Sequence, residues 1–236
     1  MRMSNEQNVS GNLRGVLDCE QYEDIPFRTY SYLKRFADLV LSALGLAVLC
    51  IPLLIVMLIV YIDDPGPVFF SQYRVGLNGR HFKMYKFRSM RVDAPHELST
   101  AEVKNPKAYI TRVGKFIRRY SIDELPQLYN VLVGDMSLVG PRPLILKEQD
   151  MHDLRNRYGV YCVRPGLTGF AQINGRDLVT IEQKVYWDVK YLQKYGFITD
   201  VKIVFGTIPK ILSHADVAEG ANKNENSETP EPEERK

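Results

Sequence analysis

The chain has 236 residues, 45% of them apolar, with 31 Lys and Arg against 28 Asp and Glu for a net charge of +3; this suits one domain with its own core and excludes a low-complexity or wholly disordered protein. Three scattered cysteines, Cys19, Cys50 and Cys162, and four histidines without ligand spacing, His81, His96, His152 and His214, imply neither a disulfide framework nor a zinc site and suit a reducing, cytosolic setting. Six acids against three bases in residues 219–236 leave the body more basic than the net charge, as an anionic lipid surface or anionic substrate favours, and no nucleic acid partner is expected.

Residues 1–30 are polar and irregular and are expected to be a flexible segment. Residues 31–64 read as a membrane anchor. Within them, residues 39–62 are 24 positions without a charge, bracketed by Asp38 and by Asp63 and Asp64. Such a run belongs in lipid, and it is too long and too far from the N-terminus for a cleaved signal. At about 1.5 Å per residue it covers about 36 Å, enough for a hydrocarbon core of about 30 Å. Pro52 has no N–H for the carbonyl of Val48, so a kink or break is expected there. Bases flank both ends, Lys34 and Arg35 before and Arg74, Arg80, Lys83, Lys86 and Arg88 after, so the positive-inside bias favours neither orientation. A kinked spanning helix and a re-entrant helix broken at Pro52 both fit.

Residues 65–214 form the remaining domain. PVFFSQYRV and RHFKMYKFRSM flank Gly76-Leu77-Asn78-Gly79, a hairpin signal, and alternation in the second strand puts Lys86 and Arg88 on one face as a phosphate cradle or as solvated cations. Arg112, Lys115, Arg118 and Arg119 would line one stripe of a helix. That stripe ends at RRYSIDELPQLYNVLVGDMSLVGPRP, residues 118–143, where the adjacent acids Asp123 and Glu124 lie between arginines and Gly140-Pro141-Arg142-Pro143. Two readings coexist. Ser121 ahead of Glu124 spells a helix cap with first-turn acids, and Gly134 a helix stop. Equally, carboxylates among guanidiniums suit phosphate chemistry, in which a carboxylate binds a divalent cation or attacks phosphorus.

Residues 163–176, VRPGLTGFAQINGR, make a loop too rigid and polar for a mere linker. Residues 181–212 read as two amphipathic helices whose Tyr186, Trp187, Tyr191 and Tyr195 suit a membrane interface or a core. Residues 215–236 are expected to be a disordered acidic tail. The fold class is α+β, mostly helical.

KRFADLVLSALGL leading into a proline-interrupted apolar segment, FFSQYRVGLNGRHFKMYKFRSM, the Asp123-Glu124 segment, RPGLTGFAQINGR and WDVKYLQKYG follow one another over residues 32–212. Together they resemble the bacterial sugar transferases, monotopic polyprenyl-phosphate phosphoglycosyl transferases. The resemblance implies a re-entrant membrane helix broken at Pro52, a small β-hairpin, and a helical catalytic domain with amphipathic interface helices on the cytosolic face of the bacterial inner membrane. It implies transfer of a sugar phosphate from a UDP-sugar to undecaprenyl phosphate or another polyprenyl phosphate. That step initiates synthesis of exopolysaccharide, capsule, O-antigen or a related glycan, and admits downstream glycosyltransferases as partners.

Carried over residue by residue, the resemblance makes Asp123 the nucleophile on the β-phosphorus, Glu124 its partner, and the pair the seat of Mg²⁺. Arg118, Arg142 and Arg164 match phosphate-clamping arginines, and Lys86 matches the lysine of the YKF segment. Two positions depart from the pattern: Ile51 precedes Pro52 where serine is common among small relatives, and Phe170 stands where tryptophan is frequent. No further apolar segment precedes Tyr32, so a short form is expected. Other classes fit less well. A non-covalent nucleotide-sugar glycosyltransferase would usually show Asp-x-Asp and a P-loop kinase G-x-x-x-x-G-K-[ST], and neither occurs; a non-catalytic membrane adaptor would need only the basic surface.

Overall fold

The computed structural model describes residues 25–94, 108–175 and 180–213. The flexible segment expected over residues 1–30 lies mostly outside these, and the tail over 215–236 wholly so. It is a mostly helical protein built on one long apolar helix and two small sheets. Helix α1 (Ile25–Asp63) runs 39 residues and passes through Pro52 without interruption. The expected break therefore does not end the helix: proline removes one hydrogen bond while the flanking turns continue. Residues Thr29–Asp63 are long and apolar enough to cross a membrane, and most of their side chains, such as Val48 and Ile51, are exposed.

Both ends of α1 rest on the same domain. At its start Lys34 Nζ lies 2.5 Å from Asp200 Oδ2, Arg35 Nη1 donates to the Val131 carbonyl at 2.6 Å, and Asp38 accepts from Leu138 N at 3.0 Å. At its finish Asp63 accepts from Val113 N at 3.0 Å, and Val60 packs with Phe87 and Ile117.

Strands β1 (Phe69–Val75) and β2 (His81–Phe87) pair antiparallel, from Phe69 opposite Phe87 to Val75 opposite His81. Their turn has Asn78 and Gly79 at φ of 53° and 72°, the left-handed values that make Asn-Gly a hairpin signal. Phe82 and Met84 point inward onto Val131 and Met136. Helix α2 (Arg112–Arg119) is capped by Thr111, whose hydroxyl accepts from Gly114 N at 2.9 Å, and carries the expected basic stripe. Helix α3 (Gln127–Val133) stops at Gly134, φ 100°, as read.

A second sheet was not expected. Strand β3 (Ser137–Val139) pairs parallel with β4 (Gly166–Thr168), and beyond them Gly166 N donates to the Pro141 carbonyl at 2.8 Å. This pairing zips Gly140-Pro141-Arg142-Pro143 onto Arg164-Pro165-Gly166. Backbone approach demands the glycines: a Cβ at Gly140 would sit 2.4 Å from the Arg164 carbonyl, and one at Gly166 2.1 Å from Gly140 N.

Helices α4 (Gln149–Arg157), α5 (Phe170–Ile173), α6 (Ile181–Gln193) and α7 (Phe197–Ser213) complete the domain. The aromatics of α6 turn to the core. Tyr191 is buried among Val139, Val189 and Ile203, Tyr186 and Tyr195 pack against that cluster, and Trp187 stands beside Phe170. It is α7 that exposes Phe197, Ile198, Phe205 and Leu212. Of the cysteines, Cys50 lies exposed on α1 and is free.

Candidate active site

The acid pair sits on a single 3₁₀ turn, Ile122–Glu124, not in the first turn of a helix. Ser121 does not cap it: its backbone is left-handed, φ 56°, and its side chain makes no capping bond. The chain instead reverses there, and Ile122 drops onto the Val60, Phe87 and Ile117 cluster. That anchor buries Asp123, 7% exposed, and aims Glu124 at β2.

Glu124 Oε1 accepts from Lys86 Nζ at 2.7 Å and from Arg142 Nη2 at 3.3 Å. Asp123 accepts no hydrogen bond from any described residue. Burial pushes its carboxyl above the ordinary 3.8 and Glu124 adds to the rise, while Lys86, Arg118 and Arg142 oppose it. The turn thus holds one carboxylate satisfied by cations and one poised beside them.

Lys86 and Arg142 are fixed from behind. Asn130, fully buried on α3, donates to the Lys83 carbonyl at 2.8 Å and accepts from Tyr85 N at 3.1 Å, stapling β2 next to Lys86. Arg155 Nη1 donates to the Arg142 carbonyl at 2.8 Å, while its Nη2 lies 2.6 Å from Asp188 Oδ2 with both side chains 2% exposed. A cleft opens beside Glu124. Its smaller lobe is lined by Lys86, Glu124, Gln127 and Arg142, and a larger one by Arg142, Arg155, Gln172 and Lys184; Arg74 and Pro143 belong to both.

Of the residues singled out in the sequence, the fold brings together Lys86, Arg118, Asp123, Glu124 and Arg142. Arg88 goes elsewhere. The strand ends at Phe87, and Arg88 turns to Asp64 past the end of α1, Nη2 3.4 Å from its carboxylate and bonded to its carbonyl. Arg164 likewise donates Nε to the Gly134 carbonyl at 2.9 Å, with Arg35 nearby. Pro52 lies within α1. Sequence reading missed Arg74, Asn130, Gln127 and Lys184; Gln172 lay in a segment already marked as too rigid for a linker, but nothing distinguished it there.

Among the described residues no three His, Cys, Asp or Glu side chains cluster as metal ligands. Two carboxylates do meet, and that is the protein share Mg²⁺ takes where substrate phosphates and water supply the rest. With Asp123 accepting no hydrogen bond from a described residue, the donor set fits such an ion.

A family model described as bacterial sugar transferase matches residues 29–214. Galactosyl transferase CpsE of Streptococcus agalactiae serotype III (strain NEM316) is 42% identical over 199 residues, covering 79% of this chain and 44% of its own length. The UDP-glucose:undecaprenyl-phosphate glucose-1-phosphate transferase of Xanthomonas campestris pv. campestris is 39% identical over 186 residues, 76% of this chain and 38% of that protein. The Uncharacterized sugar transferase EpsL of Bacillus subtilis (strain 168) is 41% identical over 182 residues, 76% of this chain and 87% of that protein. The chain therefore spans less than half the length of the first two.

Proposed function

This chain belongs to the bacterial sugar transferase family, and we propose that it is a phosphoglycosyl transferase carrying a sugar phosphate from a UDP-sugar to undecaprenyl phosphate. One observation carries the reading: a buried carboxylate, Asp123, lies beside a second, Glu124, that is already held by Lys86 and Arg142 at a cleft. Phosphoryl transfer asks a protein chiefly for positioning and charge, and a carboxylate nucleophile divides it into two displacements.

In the first, an Asp123 oxygen forms a bond to the β-phosphorus of the donor. The bond from that phosphorus to the bridging oxygen breaks, and UMP departs with the bridging oxygen and its electron pair. Arg142 and Arg118 offset the charge on the phosphoryl oxygens, while Lys86 holds Glu124 away from the in-line path. In the second, a phosphate oxygen of undecaprenyl phosphate attacks the acyl phosphate, the Asp123–phosphorus bond breaks, and the carboxylate is restored. No proton is consumed. Mg²⁺ held by Asp123 and Glu124 would supply electrophilic charge to the diphosphate.

The acceptor lies in lipid, and α1 supports a site at the bilayer surface. Lys34, Arg35 and Asp38 at one end of α1 and Asp63 at the other hold the same domain, and a bend of the helix about Pro52 would let both ends rest at one membrane face. That arrangement favours an anchor entering and leaving one face, the cytosolic face where UDP-sugars are found.

A UMP-release assay over a panel of UDP-sugars, with and without polyprenyl phosphate, tests the proposal and finds the sugar. Without acceptor, the two-step scheme releases at most one UMP per chain; with acceptor, release continues. A direct transfer would release none until the acceptor is added.

A further inference from the structure

Six buried side-chain nitrogens and oxygens among the described residues make no hydrogen bond: Nε of Arg74, Nε and Nη1 of Arg88, Nε2 of Gln127, and Nε2 and Oε1 of Gln172. Buried polar groups are almost always paired, because an unmet one forfeits its hydration without compensation. These are not scattered. Arg74, Gln127 and Gln172 all line the two lobes of the cleft beside Glu124, and of the six only the Arg88 atoms lie apart.

The most exacting of them is Gln172, which is 9% exposed with both ends of its carboxamide unmet. It stands on α5 directly after Gly169, and Gly169 is pressed against the Gly140 carbonyl so closely that a Cβ there would sit 2.1 Å from it and 2.8 Å from Gln172 Oε1. The seat of the carboxamide is thus fixed by the same backbone contact that fixes the Arg142 loop. Gln172 lines only the larger lobe and Glu124 only the smaller, and two guanidiniums line both: Arg74, bonded through Nη1 to the Pro143 carbonyl at 3.3 Å and through Nη2 to Gln72 at 2.8 Å, and Arg142, reaching Glu124.

This order along the cleft is the order of groups along a nucleoside diphosphate sugar. We infer that the larger lobe is the nucleotide subsite, with Arg74 and Arg142 on the diphosphate and the Gln172 carboxamide on the edge of the pyrimidine. The inference rests on the proposal that the donor is a UDP-sugar and adds where its leaving half lies. A carboxamide offers one acceptor and one donor side by side in a plane, and uracil offers a donor, N3–H, beside an acceptor, O4. Two hydrogen bonds to one rigid edge make the residue a determinant of base recognition.

The test uses the full-length chain and UMP as the probe, read by the thermal shift that UMP produces and by UDP-sugar kinetics. Gln172→Leu is close in volume and removes both unmet atoms, so the ligand-free protein should melt at the same temperature or higher. The UMP-induced rise should be lost and KM for the donor should increase about tenfold, with kcat little changed. Gln172→Glu, the second variant, keeps the shape but sets a carboxylate against uracil O4, and should lose the UMP-induced rise as well.

The inference is overturned if UMP raises the melting temperature of both variants as much as that of the unsubstituted chain, if UMP stabilises none of them, or if Gln172→Leu destabilises the empty protein while UMP binding is intact. The two proposals separate cleanly. UMP binding that depends on Gln172 in a chain that turns over no UDP-sugar would sink the catalytic reading and leave the subsite standing; turnover with unchanged KM in both variants would do the reverse.

Discussion

Lys86 Nζ lies 2.7 Å from Glu124 Oε1, so a cation on the second strand of the hairpin is neutralised by the acid next to Asp123. Its charge is also the largest influence opposing the upward push of burial on the Asp123 carboxyl. Lys86→Met should therefore raise the Asp123 pKa further and move the acid limb of the pH–rate profile to higher pH. Turnover near neutrality is expected to fall about tenfold or more and to recover in part on the alkaline side. A uniform loss at every pH would show that Lys86 acts only by contacting substrate.

Asp123→Asn should abolish turnover and, at neutral pH, stabilise the fold. The sign follows from burial: the native state favours the protonated acid, so this group's contribution to stability is present below 3.8, its ordinary value, and is lost as pH rises through the raised native value. Asparagine carries no charge to desolvate. Denaturant unfolding should show the variant more stable near neutrality, with the advantage shrinking as pH falls toward the ordinary value. A variant less stable at neutral pH would mean that the surrounding cations, not burial, dominate.

The buried pair of Arg155 and Asp188 gives a separate test. Asp188→Ala leaves a guanidinium stranded in the interior and should cost about 3–5 kcal/mol. The double variant Arg155→Met, Asp188→Leu should recover most of that stability yet still raise KM for the donor, since the hydrogen bond holding the Arg142 carbonyl is gone. Recovery of stability and KM together would remove Arg155 from any role in placing Arg142.

The glycines at the junction of the Arg142 and Arg164 loops are steric requirements. Gly140→Ala and Gly166→Ala should each disrupt the β3–β4 pairing, lowering the melting temperature and turnover. Gly196→Ala, whose Cβ would meet nothing nearer than 3.9 Å, should do neither. Equal tolerance at all three positions would show that the pairing has slack.

Several of these features were legible in the residues. Asn78-Gly79 marked the hairpin, Gly134 the end of α3, and the run before Asp63 the apolar helix; the acid pair among arginines pointed to the site. What was illegible is what depends on distant segments. Strands β3 and β4 are three residues each, too short for periodicity, yet their pairing places Arg142. Arg88 and Arg164 look like Arg118 in sequence, but the end of a strand turns one to Asp64 and a nearby carbonyl takes the other. Ser121 satisfied a capping pattern, but Ile122 is drawn into the Val60 cluster and the chain turns before a helix can start. The α6 aromatics fitted lipid or core equally, and only the packing of Val139 and Ile203 against Tyr191 decides.

The anchor's topology is open to thiol labelling. In a cysteine-free background, single cysteines at Tyr32 and Phe69, both substantially exposed, should react with an impermeant reagent from the same side of sealed vesicles. Labelling from opposite sides would make α1 a spanning helix.

The central claim is that Asp123 itself carries the phosphosugar between donor and acceptor. Intact-protein mass spectrometry of the chain quenched after mixing with a turned-over UDP-sugar, without polyprenyl phosphate, should show the added mass of one sugar phosphate. The adduct should map to the peptide bearing Asp123, be absent from Asp123→Asn, and disappear when acceptor is supplied. Sustained product formation with no adduct at any quench time, or with the adduct on another residue, would contradict the account.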